Sequence, residues 1–234
     1  MKIVLTNDDG IEAPGLDALY DGVSPLGDII TVAPQTAQSG IAHRVTTRAP
    51  IRVNRVAENQ YSVEGTPADC ARIALKEIAG DADWLISGIN AGANLGSDVY
   101  NSGTVAAARE AAILGYPAIA ISQYISKDNE VEWAISGHHA GAVIKMLLGR
   151  KLERKHYWNV NLPHPIEMEP ALSFQFCGLD THPHQYVYHQ DGDEFIYKGT
   201  IHERPRDPGK DVAVCFDEHK IAITRLAVGT GELQ

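Results

Sequence analysis

Two aspartates, Asp8 and Asp9, stand side by side directly after the apolar run Ile3-Val4-Leu5. Adjacent ionised carboxylates repel and help no fold, so the pair asks for a cation. Mg²⁺ or Mn²⁺ takes hard oxygen ligands in near-octahedral geometry and keeps several waters. Asp8 and Asp9 offer anionic oxygens. Two further polar, glycine-punctuated stretches follow apolar runs: APQTAQSG at 33–40 and SGINAGANLG at 87–96. Ser39 and Asn90 in them offer neutral oxygens, and the absence of soft ligands argues against structural zinc. Taken singly each has a plainer reading: a solvated turn or helix cap for Asp8-Asp9, a loop serine for Ser39, a turn asparagine for Asn90.

The stretch NSGTVAAARE at 101–110 adds the opposite chemistry. A glycine flanked by Ser102 and Thr104 opens a helix there. Free N–H groups and the positive dipole end then meet at one spot and suit an anion. The plainer reading is N-capping by either hydroxyl, and Arg109 and Glu110 are expected to pair locally. A cation beside a phosphate cradle implies phosphoester chemistry, with the metal inverting the field of an acidic site. The P-loop, HExxH, GxSxG and DxDxT patterns are absent, and Gly88, Gly92 and Gly96 do not make GxGxxG. The ten histidines, including His138-His139 and the run THPHQYVYHQ, lack ligand spacing and read as solvated or helix-face residues.

The elements must bring these loops together. Runs at 2–6, 29–33, 84–87, 118–122 and 157–162 read as buried parallel strands. Helices are expected from Pro14, from Thr66 as N-cap with Pro67 at the first position, near Thr104, and over 130–148. Residues 51–56 and 60–64 alternate and predict a hairpin off the main sheet. After Pro163 the character changes, with short strands expected at 172–177 and 185–198, and a last strand at 221–225. The expected fold class is α/β: a Rossmann-like three-layer α/β/α core with a mostly parallel sheet plus a C-terminal β-rich extension. One domain, 1–234, would hold a core of about 1–163 and 216–234 and an arm of about 164–215. In a parallel sheet the three polar loops share the carboxyl rim, where ligands bind.

The whole-chain properties agree. The chain has 234 residues and a net charge of −10, from 20 basic and 30 acidic side chains. An acidic chain is a poor general binder of DNA. No apolar run reaches the roughly 18 residues of a membrane span, and the first apolar run is too short for a signal-peptide core. Three scattered cysteines suggest no disulfide framework. The expectation is a soluble, cytoplasmic protein.

The ordered motifs NDDGI-APG, AP…SG, EGTPADC at 64–70, SGIN-G-NLG-D at 87–98 and SGTV-AARE at 102–110, with NVNLP at 159–163, resemble the SurE (survival protein E) nucleotidase family. The resemblance implies a divalent-metal-dependent phosphatase acting on nucleoside 5′-monophosphates, also on 3′-monophosphates and short polyphosphate. It implies one Mg²⁺ or Mn²⁺ per subunit on Asp8, Asp9, Ser39 and Asn90, with Asp8 and Asp9 catalytic. It further implies phosphate or substrate contacts from Asn94, Ser102, Gly103, Thr104 and His43, and a homodimer or homotetramer whose arm exchanges between subunits. Gln35-Thr36-Ala37-Gln38 departs from the family, which commonly has arginines there, and Asn101 stands where Tyr or His is usual. Water attack is the preferred mechanism and an aspartyl-phosphate the rival. A nucleotide-binding protein with a degenerate site is the alternative function. A receiver-type signalling module, which needs a strand-end aspartate where this chain has Asn90, is a weaker one.

Overall fold

A computed structural model describes residues 1–126, 130–169, 173–184, 186–199 and 203–229. The strands are β1 (Lys2–Thr6), β2 (Asp28–Pro34), β3 (Val53–Ala57), β4 (Gln60–Val63), β5 (Trp84–Ala91), β6 (Ala118–Gln123), β7 (His156–Leu162), β8 (Phe174–Phe176), β9 (Tyr188–Asp191), β10 (Glu194–Tyr197) and β11 (Ile221–Ala227). The helices are α1 (Pro14–Val23), α2 (Pro67–Ile73), α3 (Gly103–Ile113), α4 (Trp133–Leu148) and α5 (Asp211–Phe216). Among the described residues one sheet of nine strands runs in the order β3-β4-β2-β1-β5-β6-β7-β11-β8. From β4 to β7 every neighbouring pair is parallel.

Both faces of this sheet are covered, which is why its central strands are apolar throughout rather than alternating. Ile3 and Leu5 of β1 enter one core cluster with Leu16 and Leu19 of α1 and Ile144 of α4. Val4, between them, enters the opposite cluster with Cys70 and Ala71 of α2 and Val105 and Ala108 of α3. The chain is thus α/β, with three layers and a Rossmann-like arrangement. It leaves β1 toward β2 on one side and returns after α2 to β5 on the other. The carboxyl ends of β1 and β5 flank that topological switch point, where a crevice opens.

The segment after Pro163 divides. β8 joins the main sheet beside β11, and α5 packs on β11 through Val212, Val214, Cys215 and Ala222. Among the described residues β9 and β10 pair only with each other, and every residue of both strands is exposed. The hairpin of β3 and β4 forms, but it is not off the main sheet: β4 pairs with β2 and makes the hairpin its edge. β4 carries Tyr61 and Val63 onto the core, so the same alternation that marks a hairpin also seats it. Parts of the strands expected at 172–177 and 185–198 fall on residues 172 and 185, outside the described residues.

Candidate active site

Asp8 lies two residues past β1 and is 5% exposed. Asn7 shapes the turn that puts it there. Its Nδ2 donates to Gly10 O at 2.8 Å and its Oδ1 accepts from Gly10 N at 3.2 Å. Gly10 sits at φ +106°, a backbone conformation that L side chains rarely adopt. The side chain of Asp8 meets the start of α3: Thr104 Oγ1 donates to Asp8 Oδ1. Gly103 makes the approach possible, since a Cβ there would lie 2.8 Å from Asp8 Cβ and 2.9 Å from Asp8 Oδ2. Ser102 caps the helix, its Oγ accepting from Val105 N at 3.1 Å. The N–H groups of Gly103 and Thr104 lie in the first helical turn, where the helix supplies no acceptor.

Asp9 is half-buried, and its Oδ2 accepts from Ala91 N at 3.1 Å, next to Asn90. Asn90 donates its Nδ2 to Gly92 O at 2.6 Å. Its Oδ1 is without a hydrogen-bond partner among the described residues. Ser39 is exposed on the loop after β2. Gln38 N, one residue before it, donates to Asp8 O at 2.7 Å and fixes that loop to the corner. Asp8, Asp9, Gly103 and Thr104 are therefore in one constellation, with the backbone neighbours of Ser39 and Asn90 tied directly to the two aspartates.

The electrostatics of the corner are unusual. Burial pushes the Asp8 pKa up to about 6, against the hydrogen bond from Thr104 and with help from the Asp9 charge. No basic side chain pairs with either aspartate among the described residues. No cluster of three or more His, Cys, Asp or Glu side chains offers a metal site among them either. Two carboxylates in a corner without a counter-charge, with Ser39 and Asn90 on the loops whose neighbouring backbone is tied to them, form a donor set that fits a hard divalent cation.

Two expected substrate contacts are placed elsewhere. His43 lies against Glu110, about two turns along α3 from Gly103. Its Nε2 is 2.7 Å from Glu110 Oε2, and Arg109 Nη1 is 3.3 Å from its Nδ1. The guanidinium can only donate, so His43 carries its proton on Nε2 and gives it to Glu110. Asn94 is buried, its Nδ2 donating to Ser122 Oγ at 2.8 Å and its backbone N to Asn161 Oδ1 at 2.8 Å. Thr104, expected to offer its hydroxyl to a phosphate, commits it to Asp8. Arg109 and Glu110 do not pair with each other, because neighbouring helix positions point away from one another. Glu110 takes Arg72 Nε at 2.6 Å, and Arg109 Nη2 donates to Val99 O at 2.6 Å. Burial pushes the Glu110 carboxyl up, but the hydrogen bonds and charges of His43 and Arg72 outweigh it and hold it below the usual range.

Sequence reasoning gave no role to Asn7 or to the pair Arg72–Glu110. The first has a local signal, an asparagine three residues before a glycine at a strand end. The second joins residues far apart in sequence and has none.

A cleft of about 360 Å³ adjoins the corner, lined by Asp9, Glu12, Pro14, Gln35, Ala91 and Trp133 among others. A polar pocket of about 330 Å³ lies on the other side of Gln35 and includes Gln38, Arg44 and Thr46.

Comparison with known proteins gives a consistent picture. The family model described as Survival protein SurE matches residues 3–184. A relative from Synechocystis sp. is 47% identical over 97% of this chain and 100% of its own length. The 5′-nucleotidase SurE of Paramagnetospirillum magneticum is 44% identical over 97% of this chain and 89% of its own. Among solved structures, the SurE protein from Aquifex aeolicus superposes with a TM-score of 0.87 at 27% identity, covering 99% of this chain and 95% of that one.

Proposed function

The chain belongs to the survival protein SurE family and is an enzyme of the 5′-nucleotidase class; from that premise we propose that it hydrolyses nucleoside 5′-monophosphates to nucleoside and phosphate, using one Mg²⁺ or Mn²⁺ per subunit. Asp8, Asp9, Ser39 and Asn90 would hold the cation. The observation that carries this reading is the buried Asp8 carboxylate, beside Asp9, pressed on the amino end of α3 and without a counter-charge among the described residues.

A divalent cation at this corner supplies Lewis-acid polarisation of the phosphoryl oxygens and acidifies a water. The rest is the work of the chain. The N–H groups of Gly103 and Thr104 receive phosphoryl oxygens at the helix terminus, with Ser102 holding that terminus in shape. Thr104 fixes the Asp8 carboxylate by its hydroxyl. Asp9 borders the open cleft, so it orients the attacking water and takes its proton. His43 and Asn94 act through the loops they hold, since their ring and amide nitrogens are already committed.

The test is phosphate release from 5′- and 3′-monophosphates and short polyphosphate, with Mg²⁺, with Mn²⁺ and with chelator, for wild type and Asp9→Ala. Metal-dependent release that disappears in the variant supports the assignment. Nucleotide binding without release from any substrate overturns it in favour of a binding protein.

We also propose a homodimer or homotetramer. The hairpin of β9 and β10 exposes Tyr188, Phe195, Ile196 and Tyr197, with Tyr186 exposed just before it, and apolar side chains gathered on one exposed ribbon suit a protein–protein contact. Sedimentation that finds only monomer would refute this. No helix among the described residues is long and apolar enough to cross a membrane, and all three cysteines are free, which suits a reducing cytoplasm.

A further inference from the structure

The cleft beside Asp9 has an aromatic wall that neither the motifs nor the relatives' names account for. Trp133 is the first residue of α4 and is half-buried. One part of its indole packs on α1, where Gly15 makes room: a Cβ on Gly15 would come within 2.9 Å of Trp133 Cζ3. Another part lines the 360 Å³ cleft together with Asp9 and Glu12. That volume lies at the lower end of small-molecule sites, about 300–1,000 Å³. The chain's other two tryptophans, Trp84 and Trp158, are 8% and 6% exposed and belong to the core.

We propose that this cleft is the base subsite and that Trp133 selects purine nucleotides by stacking on the base. This rests on the reading of the Asp8–Asp9 corner as the phosphate end. One cavity touches both Asp9 and the indole, so a substrate whose phosphate sits at the corner carries its sugar and base into it. An indole offers a flat π-face, and stacking energy grows with the overlap that a two-ring base provides. Glu12 lines the same cleft with an acceptor carboxylate, which suits the amino and imino hydrogens of a purine edge. The polar pocket across Gln35 has no aromatic side chain and touches neither aspartate, so it is the poorer candidate.

Two measurements test the proposal. In the first, kcat and KM are measured for AMP, UMP and ribose 5-phosphate in wild type, Trp133→Ala and Trp133→Phe. Loss of stacking raises KM for AMP about tenfold in the alanine variant. The rise is smaller for UMP and absent for ribose 5-phosphate, kcat stays close to wild type, and phenylalanine restores part of the loss. An equal loss on all three substrates would mark Trp133 as structural and overturn the proposal. The second measurement is quenching of tryptophan fluorescence by adenosine, which has no phosphate to cleave. Quenching in wild type that disappears in Trp133→Phe supports the subsite, and no quenching in wild type overturns it. If no monoester is hydrolysed at all, the phosphatase reading fails while the quenching result still decides this one.

Discussion

Two of the places where the molecule buries acid treat it in opposite ways. In the clasp formed by Asp98, Asp180 and Asp211, every carboxylate is answered. Arg204 Nη1 donates to Asp98 Oδ2 at 2.8 Å, and His184 takes Asp98 Oδ1. Asp180 accepts from His182 N at 2.9 Å and from Asp207 N at 2.7 Å. Asp211 accepts from Gly96 N at 2.7 Å, Asp180 N at 2.7 Å and Val212 N at 3.0 Å. At the Asp8–Asp9 corner, among the described residues, Asp8 takes the Thr104 hydroxyl with support from the backbone N–H groups of Asp8 and Thr104, Asp9 takes Ala91 N, and no basic side chain pairs with either carboxylate. Burying a carboxylate without compensation is costly, so an answered cluster belongs to the fold and an unanswered one to a ligand. Burial alone therefore does not mark a functional acid; burial with few donors and no counter-charge does.

Breaking the two clusters should have opposite consequences. Asp9→Ala removes a carboxylate that the fold uses for one hydrogen bond, from Ala91 N. Activity should fall by at least ~10³-fold, about 4 kcal/mol of transition-state stabilisation, while the thermal midpoint in chelator stays the same or rises. A variant that keeps wild-type turnover would end the comparison. Arg204→Ala does the reverse. Arg204 is 3% exposed and also donates Nη2 to Leu95 O at 2.8 Å. Its loss leaves Asp98 with His184 as its one basic partner among the described residues and should cost about 3 kcal/mol of stability, read by denaturant unfolding, with turnover per folded molecule within about tenfold of wild type. If activity collapses and stability does not, the clasp belongs to the site after all.

The boundary between the clusters is sharpened by Gly103→Ala. The new methyl would press on Asp8 Cβ and Oδ2 at 2.8 and 2.9 Å, so either α3 or the aspartate must shift. A cost of about 2 kcal/mol is expected from overpacking, together with weaker Mn²⁺ binding by titration calorimetry. Unchanged metal affinity would show that Asp8 and the amino end of α3 are independent.

The corner was legible in sequence and the clasp was not, and the reason is spacing. Asp8 and Asp9 are adjacent, and Ser102, Gly103 and Thr104 are consecutive, so each half of the corner is a short pattern at the end of a predicted strand or the start of a predicted helix. The clasp joins Asp98 to Arg204 across 106 residues. No local signal distinguishes His182 and His184 from solvated histidines, which is how the sequence alone presents them. The structure ties them to Asp180 and Asp98. The fold follows the same rule. Buried strands and the Thr66-Pro67 cap are local and were readable; the Thr66 hydroxyl indeed accepts from Asp69 N at 3.2 Å. That the β3–β4 hairpin joins the sheet edge, or that α5 covers β11, depends on partners distant in the chain.

The smallest expected effect separates the clusters by pH. Burial pushes the Asp180 carboxyl up, but the N–H groups of Asp207 and His182 outweigh burial and hold it below the usual carboxylate range. A carboxyl depressed on folding binds its proton more weakly in the folded chain than in the unfolded one. Its contribution is therefore complete above the ordinary aspartate pKa of about 3.9 and is lost as the pH falls through the lower folded value. Asp180→Asn should lower stability by about 1–2 kcal/mol near neutrality, the scale of a hydrogen bond to a charged group. The gap to wild type should close on acidification below about pH 4, in melts taken from pH 3 to pH 7. A gap that stays constant to the acid end would mean that shape rather than charge holds this part of the clasp. Asp180 would then cease to be the answered counterpart of Asp8.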